Sequence, residues 1–424
     1  MAITEAQPLA AGWGQSPMLR TALRYGASAC GPIAVSGAHF VASLIFLRLL
    51  PAHEFGLFSF VMVVVAFGMS ATASMVVVPI TQMLVKGGPR ATCFKTNWLV
   101  CAGFGALLFA ALAFSNGPLP EAGGLGLYGA VFAWRWFARN MAYIDGRMGR
   151  AIASDILYSV TLVVALGALT LLHRMSFTTG SEMLLAASLL ALLPFGAGFM
   201  KIQLLALRDG SLREYLPIFR DVSRWSLVGV VLTEITVNAH AYLVTFISGA
   251  GSFALLALGM LLMRPASLVQ TALPDMERPA MARAIAAHNL SVLDRIRRHF
   301  TWGLVAAWAG TMALVVMILV FAPQLVLKKG YALHDVIIVA ALSAAIMAIR
   351  TWRTPLAVLL QAAGEFKALA RIGTVSGLVS VASVLALLLT VGPVASLGGI
   401  ILGELVILVR VHAMARDWRA VHHA

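Results

Sequence analysis

Five arginines stand inside stretches that are otherwise apolar: Arg135, Arg139, Arg264, Arg350 and Arg353. A guanidinium at the centre of a membrane helix costs about 2.5–3.5 kcal/mol, so such residues face a water-filled cavity or a partner rather than lipid. Arg135 and Arg139 are four apart, and Arg350 and Arg353 three apart, so each pair projects from one helix face. Arg264 precedes Pro265 at mid-span, where a side chain has furthest to reach for water. Arg139 sits within a turn of its helix end and snorkels. Arginine stays charged at any working pH and offers a planar fork of donors that matches phosphate oxygens. The chemistry implied is the binding of an anion inside the membrane.

Three carboxylates have a claim to membrane depth, namely Asp155, Glu234 and Glu404. Glu234 lies one helical turn from Asn238, and two readings of it stand side by side: an ion pair with one of the arginines, or a protonation role in energy coupling. His39 and His240 take middle positions in their spans, and Ser36, His39 and Ser43 share a face. Each histidine reads as a hydrogen-bonded core residue or as a proton-linked one. Glu234, His39 and His240 are therefore the ion-coupling candidates, with Arg135, Arg264, Arg350 and Arg353 the anion-binding ones. No G-x-x-x-x-G-K-[ST] loop and no catalytic constellation accompanies them. Neither a metal, a cofactor nor an enzymatic reaction is expected.

The elements that must hold these side chains are membrane helices. The chain has 424 residues, of which 60% are hydrophobic and 11% charged, with a mean hydropathy of +0.91. Soluble proteins carry roughly 25% charged residues. Apolar runs broken by Gly, Pro and charge predict twelve spans, an all-α polytopic bundle. The fourth (Gly124 to Ala142), seventh (Trp225 to Ser248), eighth (Phe253 to Pro274) and tenth (Val336 to Gln361) carry most of the candidates. The net charge of +14 does not signal nucleic acid, because most of the 31 Lys and Arg residues fall in alternate connections, from Arg20 and Arg24 to Arg416 and Arg419. That bias predicts cytoplasmic N and C termini. Arg48, Arg174, Lys328 and Lys329 lie on the other side. Cys30, Cys93 and Cys101 have no metal-ligand or redox spacing, and the first residues do not read as a removable signal peptide.

The chain also reads as duplicated. Arg24-Tyr25 opens the first span as Arg224-Trp225 opens the seventh, and Trp134-Arg135 followed by Gly146 is matched at a constant offset by Trp352-Arg353 followed by Gly364. Two six-helix bundles around a central cavity, a common transporter plan, follow from this: residues 1–207, a cytoplasmic linker at 208–224, and residues 225–424. Within the second bundle, Leu290, Leu293, Ile296 and Phe300 have helical spacing beside several arginines, predicting an amphipathic helix on the cytoplasmic surface near 277–300.

The end of span one and start of span two read Leu47-Arg48-Leu49-Leu50-Pro51-Ala52-His53-Glu54-Phe55-Gly56-Leu57-Phe58-Ser59. This resembles the polysaccharide flippases, the O-antigen and exopolysaccharide repeat-unit exporters of the superfamily that also holds multidrug extruders and lipid II flippases. Pro51, Glu54 and Gly56 themselves read as a tight turn with a helix start. The resemblance implies a cargo of undecaprenyl pyrophosphate carrying an oligosaccharide, moved across the bacterial inner membrane by alternating access. It further implies a polysaccharide polymerase and a chain-length protein as partners, and it adds Arg48 to the substrate-binding set. Two other readings remain: a multidrug extruder, which would favour carboxylates for cationic drugs, and a membrane-embedded polymerase or ligase, which would need a sizeable outer loop.

Overall fold

The computed structural model describes residues 17–81, 90–114, 119–327 and 331–423. Lys86, Lys328 and Lys329 lie outside them. No strand occurs among the described residues, because a backbone in hydrocarbon must satisfy its own polar groups and a helix does so within one segment. Ten helices are long and apolar enough to cross a membrane, or eleven if one bent pair counts as a span. The result is an all-α multi-pass membrane protein of two pseudo-symmetric halves.

The first half comprises α1 (Pro17–Leu49), α2 (Ala52–Thr72), α3 (Arg90–Phe114), α4 (Leu119–Ile144), α5 (Met148–Leu171), α6 (Phe177–Leu190) and α7 (Gly196–Asp209). A short α8 (Leu212–Ile218) leads to α9 (Arg224–Ser248), α10 (Ala250–Leu262), α11 (Arg264–Ala286), α12 (Leu290–Phe321), α13 (Leu333–Ala362), α14 (Phe366–Thr390) and α15 (Ser396–His423). Helix α4 has the length of a span, 26 residues. It misses the apolar count of the others because it spends its last turns on Trp134, Arg135, Trp136, Arg139 and Asn140.

The repeat seen in the sequence is visible in the backbone. Gly146 ends α4 at φ +71° and Gly364 ends α13 at φ +83°. The Arg147 amide donates to the Ala142 carbonyl across the first corner, and the Glu365 amide to the Leu360 carbonyl across the second. Both are the left-handed helix stop for which glycine is the least strained residue. These corners, with Lys95 and Arg208, mark what is called here the basic end of the bundle; the turn at Pro51 marks the opposite end.

Two stretches differ from expectation. The 208–224 connection is helical and runs into α9 through a π-turn at Phe219–Ser223. It docks on a second π-turn, Ala73–Val77, that continues α2. Tyr215 Oη and Ser223 Oγ both donate to the Met75 carbonyl there, the latter at 3.1 Å. The 277–300 stretch is not one amphipathic helix. Helix α11 stops at Ala286, His288 turns the chain at φ +50°, and Asn289 caps α12 by accepting from the Val292 amide at 3.1 Å. Leu293 and Phe300 then pack against Leu359, Val411 and Trp418 in the second half's own core. Helical spacing of apolar residues is the same whether they meet lipid or protein, and here they meet protein.

The halves meet chiefly where α2 lies along α10 and α9. At the opposite end the approach is backbone to backbone, since a Cβ on Gly56 would collide with the Ala250 carbonyl. Within the second half, α14 and α15 close in the same way: a Cβ on Gly399 would strike the Val384 backbone, and one on Gly403 would come to 2.7 Å from Ser380 Cβ. Gly399 and Gly403, four apart and so on one face of α15, are the small residues that let the two helices touch.

Candidate functional site

A cavity of about 250 Å³ lies between the halves. Helices α1 and α2 contribute His39, Ser43, Phe55, Ser59 and Met62; α9 to α11 contribute Asn238, His240, Met260 and Arg264; α13 contributes Ser343 and Arg350. No Asp or Glu is among its described lining residues. Arg264 opens α11 directly after the 60° bend with α10, so the Pro265 break turns its side chain into the centre of the bundle. Its Nε is buried without a hydrogen-bond partner, and so are both ring nitrogens of His240, a residue only 4% exposed. Buried donors left open in this way cost about 1–3 kcal/mol each when nothing meets them, so they are a ready interface for a polar ligand.

A second chamber, about 650 Å³, adjoins it on the side of the basic end and shares Val237 with it. Glu234, Arg278, Arg353, Thr354 and Gln361 line it, mostly from α9, α11 and α13. Glu234 is fixed on one oxygen, which accepts from Asn238 Nδ2 at 3.0 Å and from Tyr242 Oη at 2.7 Å. It makes no ion pair with the arginines among the described residues, so the first of its two sequence readings does not hold.

Arg350 faces the first chamber and Arg353 the second, and one acid stands between them. Glu404 of α15 is fully buried; its Oε1 lies 2.7 Å from Arg350 Nε and its Oε2 3.3 Å from Arg353 Nε. Neither guanidinium has a terminal nitrogen in an ion pair or hydrogen bond among the described residues, and a guanidinium fork is what a phosphate oxygen pair binds.

The first half holds the counterpart pair differently. Arg135 is 1% exposed and gives Nη1 to Asp155 Oδ1 at 2.9 Å, while Arg139 gives Nε to Asp155 Oδ2 at 2.7 Å. Phe132 and Tyr158 cover the Arg135 guanidinium, with centroids at 4.8 and 4.6 Å. Helix α1 reaches this cluster because Gly31 has no Cβ to collide with Asp155. The arginine pairs of α4 and α13 therefore do not face each other across the interface, and Arg135 is enclosed within its own half rather than lining the cavity. Arg139, expected to snorkel to the surface, is instead held by Asp155. His39 is the link between regions: it lines the central cavity and its Nε2 lies 2.8 Å from Tyr158 Oη. Arg48 is exposed in the last turn of α1 and lines neither chamber.

Of the sequence candidates, Arg264, Arg350, His39 and His240 thus come together in one cavity, with Arg353 and Glu234 in the next. What the sequence did not supply was the partner of each charge. Asp155 and Glu404 stood out as acids at membrane depth, yet hydropathy carries no helix rotation and so cannot say which arginine each one meets. Met62, Met260, Met263 and Met347, which also line the central cavity, gave no periodic signal against so apolar a background.

No family model and no curated protein matches the chain. Solved structures do. The inward-facing conformation of a multidrug resistance MATE family transporter of the MOP superfamily aligns at a TM-score of 0.67 and 14% identity, over 92% of this chain and 95% of that one. Lipid II flippase MurJ, in an inward closed conformation, aligns at 0.66 and 12% identity, over 94% and 88%. An outward-facing MATE transporter aligns at 0.57 and 14% identity, over 94% and 95%. At these identities the likeness is one of fold, and the fold the chain shares is that of MOP superfamily transporters.

Proposed function

We propose that this protein is a flippase that carries undecaprenyl-pyrophosphate-linked oligosaccharide repeat units across the bacterial inner membrane, for exopolysaccharide or O-antigen synthesis, by alternating access. The observation that carries the reading is the central cavity, which presents Arg264 and Arg350 and no carboxylate among its described lining residues. Such a cavity favours an anionic head. A diphosphate moving through hydrocarbon unaided would lose its hydration with nothing in exchange, at a cost of several kcal/mol or more; the arginines replace that hydration while the polyprenyl tail stays in lipid. The halves meet backbone to backbone at Gly56 and Ala250, away from the basic end, an arrangement in keeping with the better alignment to the inward-facing MATE transporter than to the outward-facing one. With positive residues marking the cytoplasmic side, the basic end is cytoplasmic, as both termini are.

Reconstituted protein is expected to move a lipid-linked oligosaccharide between leaflets of a vesicle, and Arg264→Ala to reduce that movement at least tenfold while the protein stays folded in the membrane. Equal rates for the two proteins would remove the cationic-cavity argument. A multidrug extruder is the second reading, and Glu234 in the adjoining chamber is the observation that favours it. Cation efflux that disappears in Glu234→Gln, with no lipid transport by the parent protein, would decide for it.

A further inference from the structure

Among the described residues, Glu404 is the carboxylate that pairs with both chamber-facing arginines of α13, and it lines neither chamber. Its position is set by packing. Helix α15 is drawn against α14 at Gly399 and Gly403, and Ser376 Oγ donates to the Gly403 carbonyl at 2.7 Å, which fixes the rotation of the next residue toward α13. Glu404 Oε1 accepts from Arg350 Nε at 2.7 Å, while Oε2 meets Arg353 Nε at 3.3 Å as a charge contact without a hydrogen bond. Its single buried charge is shared by two guanidinium groups three residues apart on α13, the wall along which the two adjoining chambers lie.

The geometry points to Glu404 as a positioning residue that sets two separate anion anchors, Arg350 in the central chamber and Arg353 in the adjoining one, so that the site selects a ligand with two linked anionic groups over one with a single group. This rests on the anionic-head reading above and deepens it: the anchors are matched to a diphosphate, not simply to negative charge. Arg264 also lines the central chamber and Arg278 the second, adding a further positive charge to each. In Glu404→Gln the volume is kept, but the amide offers one acceptor and turns its NH2 donor toward the other guanidinium. One arginine is released from its orientation, and the second anchor is lost.

The test uses the full-length protein in lipid nanodiscs, with inorganic phosphate and inorganic diphosphate as competing probes for binding. The native protein is expected to prefer diphosphate about tenfold or more, the scale of one charge-assisted hydrogen bond. Glu404→Gln is expected to lose most of that preference while its affinity for phosphate, carried by Arg264 and Arg350, stays within about twofold. Arg353→Lys should do the same from the other side of the wall, which keeps the test decisive if Glu404→Gln fails to fold. A merely structural acid would lower both affinities together and leave their ratio unchanged. An unchanged ratio in a folded Glu404→Gln, or no preference in the native protein, overturns the inference. If that happens while lipid transport persists and still needs Arg264, the flippase reading survives alone; if the preference behaves as expected but no lipid-linked sugar moves, the anchors stand and the cargo assignment falls.

Discussion

Asp155 satisfies two guanidinium groups with its two oxygens, at 2.9 and 2.7 Å, in a place that water does not reach. Removing one partner of a buried ion pair leaves an uncompensated charge and costs about 3–5 kcal/mol. Asp155→Ala should therefore lower the thermal unfolding midpoint sharply, whereas Asp155→Asn, which keeps one acceptor, should fall between it and the native protein. A midpoint unchanged in both would mean the cluster contributes little. The same arithmetic explains why sequence reading ranked Arg135 with Arg264 although only Arg264 reaches the cavity. The cost of burying an arginine says that it has a compensating environment, and a carboxylate serves as well as water. Arg48 shows the opposite limit: a motif located it, and nothing about its exposed position at the end of α1 joins it to either chamber.

At the level of elements, helix identity was legible because a membrane helix announces itself by twenty apolar residues in a row. The corners at Gly146 and Gly364 were legible too, as glycines that recur at one offset and turn out to take the same left-handed stop. Rotation about each helix axis was not, since an apolar surface is required whether a face meets lipid or protein; the 277–300 stretch was misread for that reason. Where glycine lets two backbones touch, rotation becomes testable. Gly399→Val places side-chain atoms against the Val384 backbone, and overpacking of this kind costs about 1–3 kcal/mol. It should push α15 away from α14 and carry Glu404 with it, so both thermal stability and the diphosphate preference should drop. Gly373→Ala on α14, where an added Cβ meets nothing within 4 Å, is the control expected to leave stability unchanged.

For the molecule as a whole, alternating access requires the contact of α2 with α10 to part in each cycle. The positions to hold it shut are His53 and Gly251, where a Cβ on Gly251 would lie 3.9 Å from His53 Cα. In a background with Cys30, Cys93 and Cys101 replaced, His53→Cys with Gly251→Cys should form a disulfide under oxidation and stop transport, and reductant should restore it. Continued transport by the oxidised, cross-linked protein would show that this seam need not open. On the other side of the bundle the facing π-turns at Ala73–Val77 and Phe219–Ser223, tied by Tyr215 and Ser223 to one carbonyl, are where the halves are joined by continuous chain. Such irregular turns recur where helices bend in function.

The bare α-carbon at position 56 also bears on the electrical integrity of the cell. Even one methyl group there cannot coexist with the Ala250 carbonyl, so Gly56→Ala would prop this barrier ajar. Cells making that variant should show a depolarised membrane and faltering growth even when supplied with no cargo at all, a phenotype of leakage rather than of lost export.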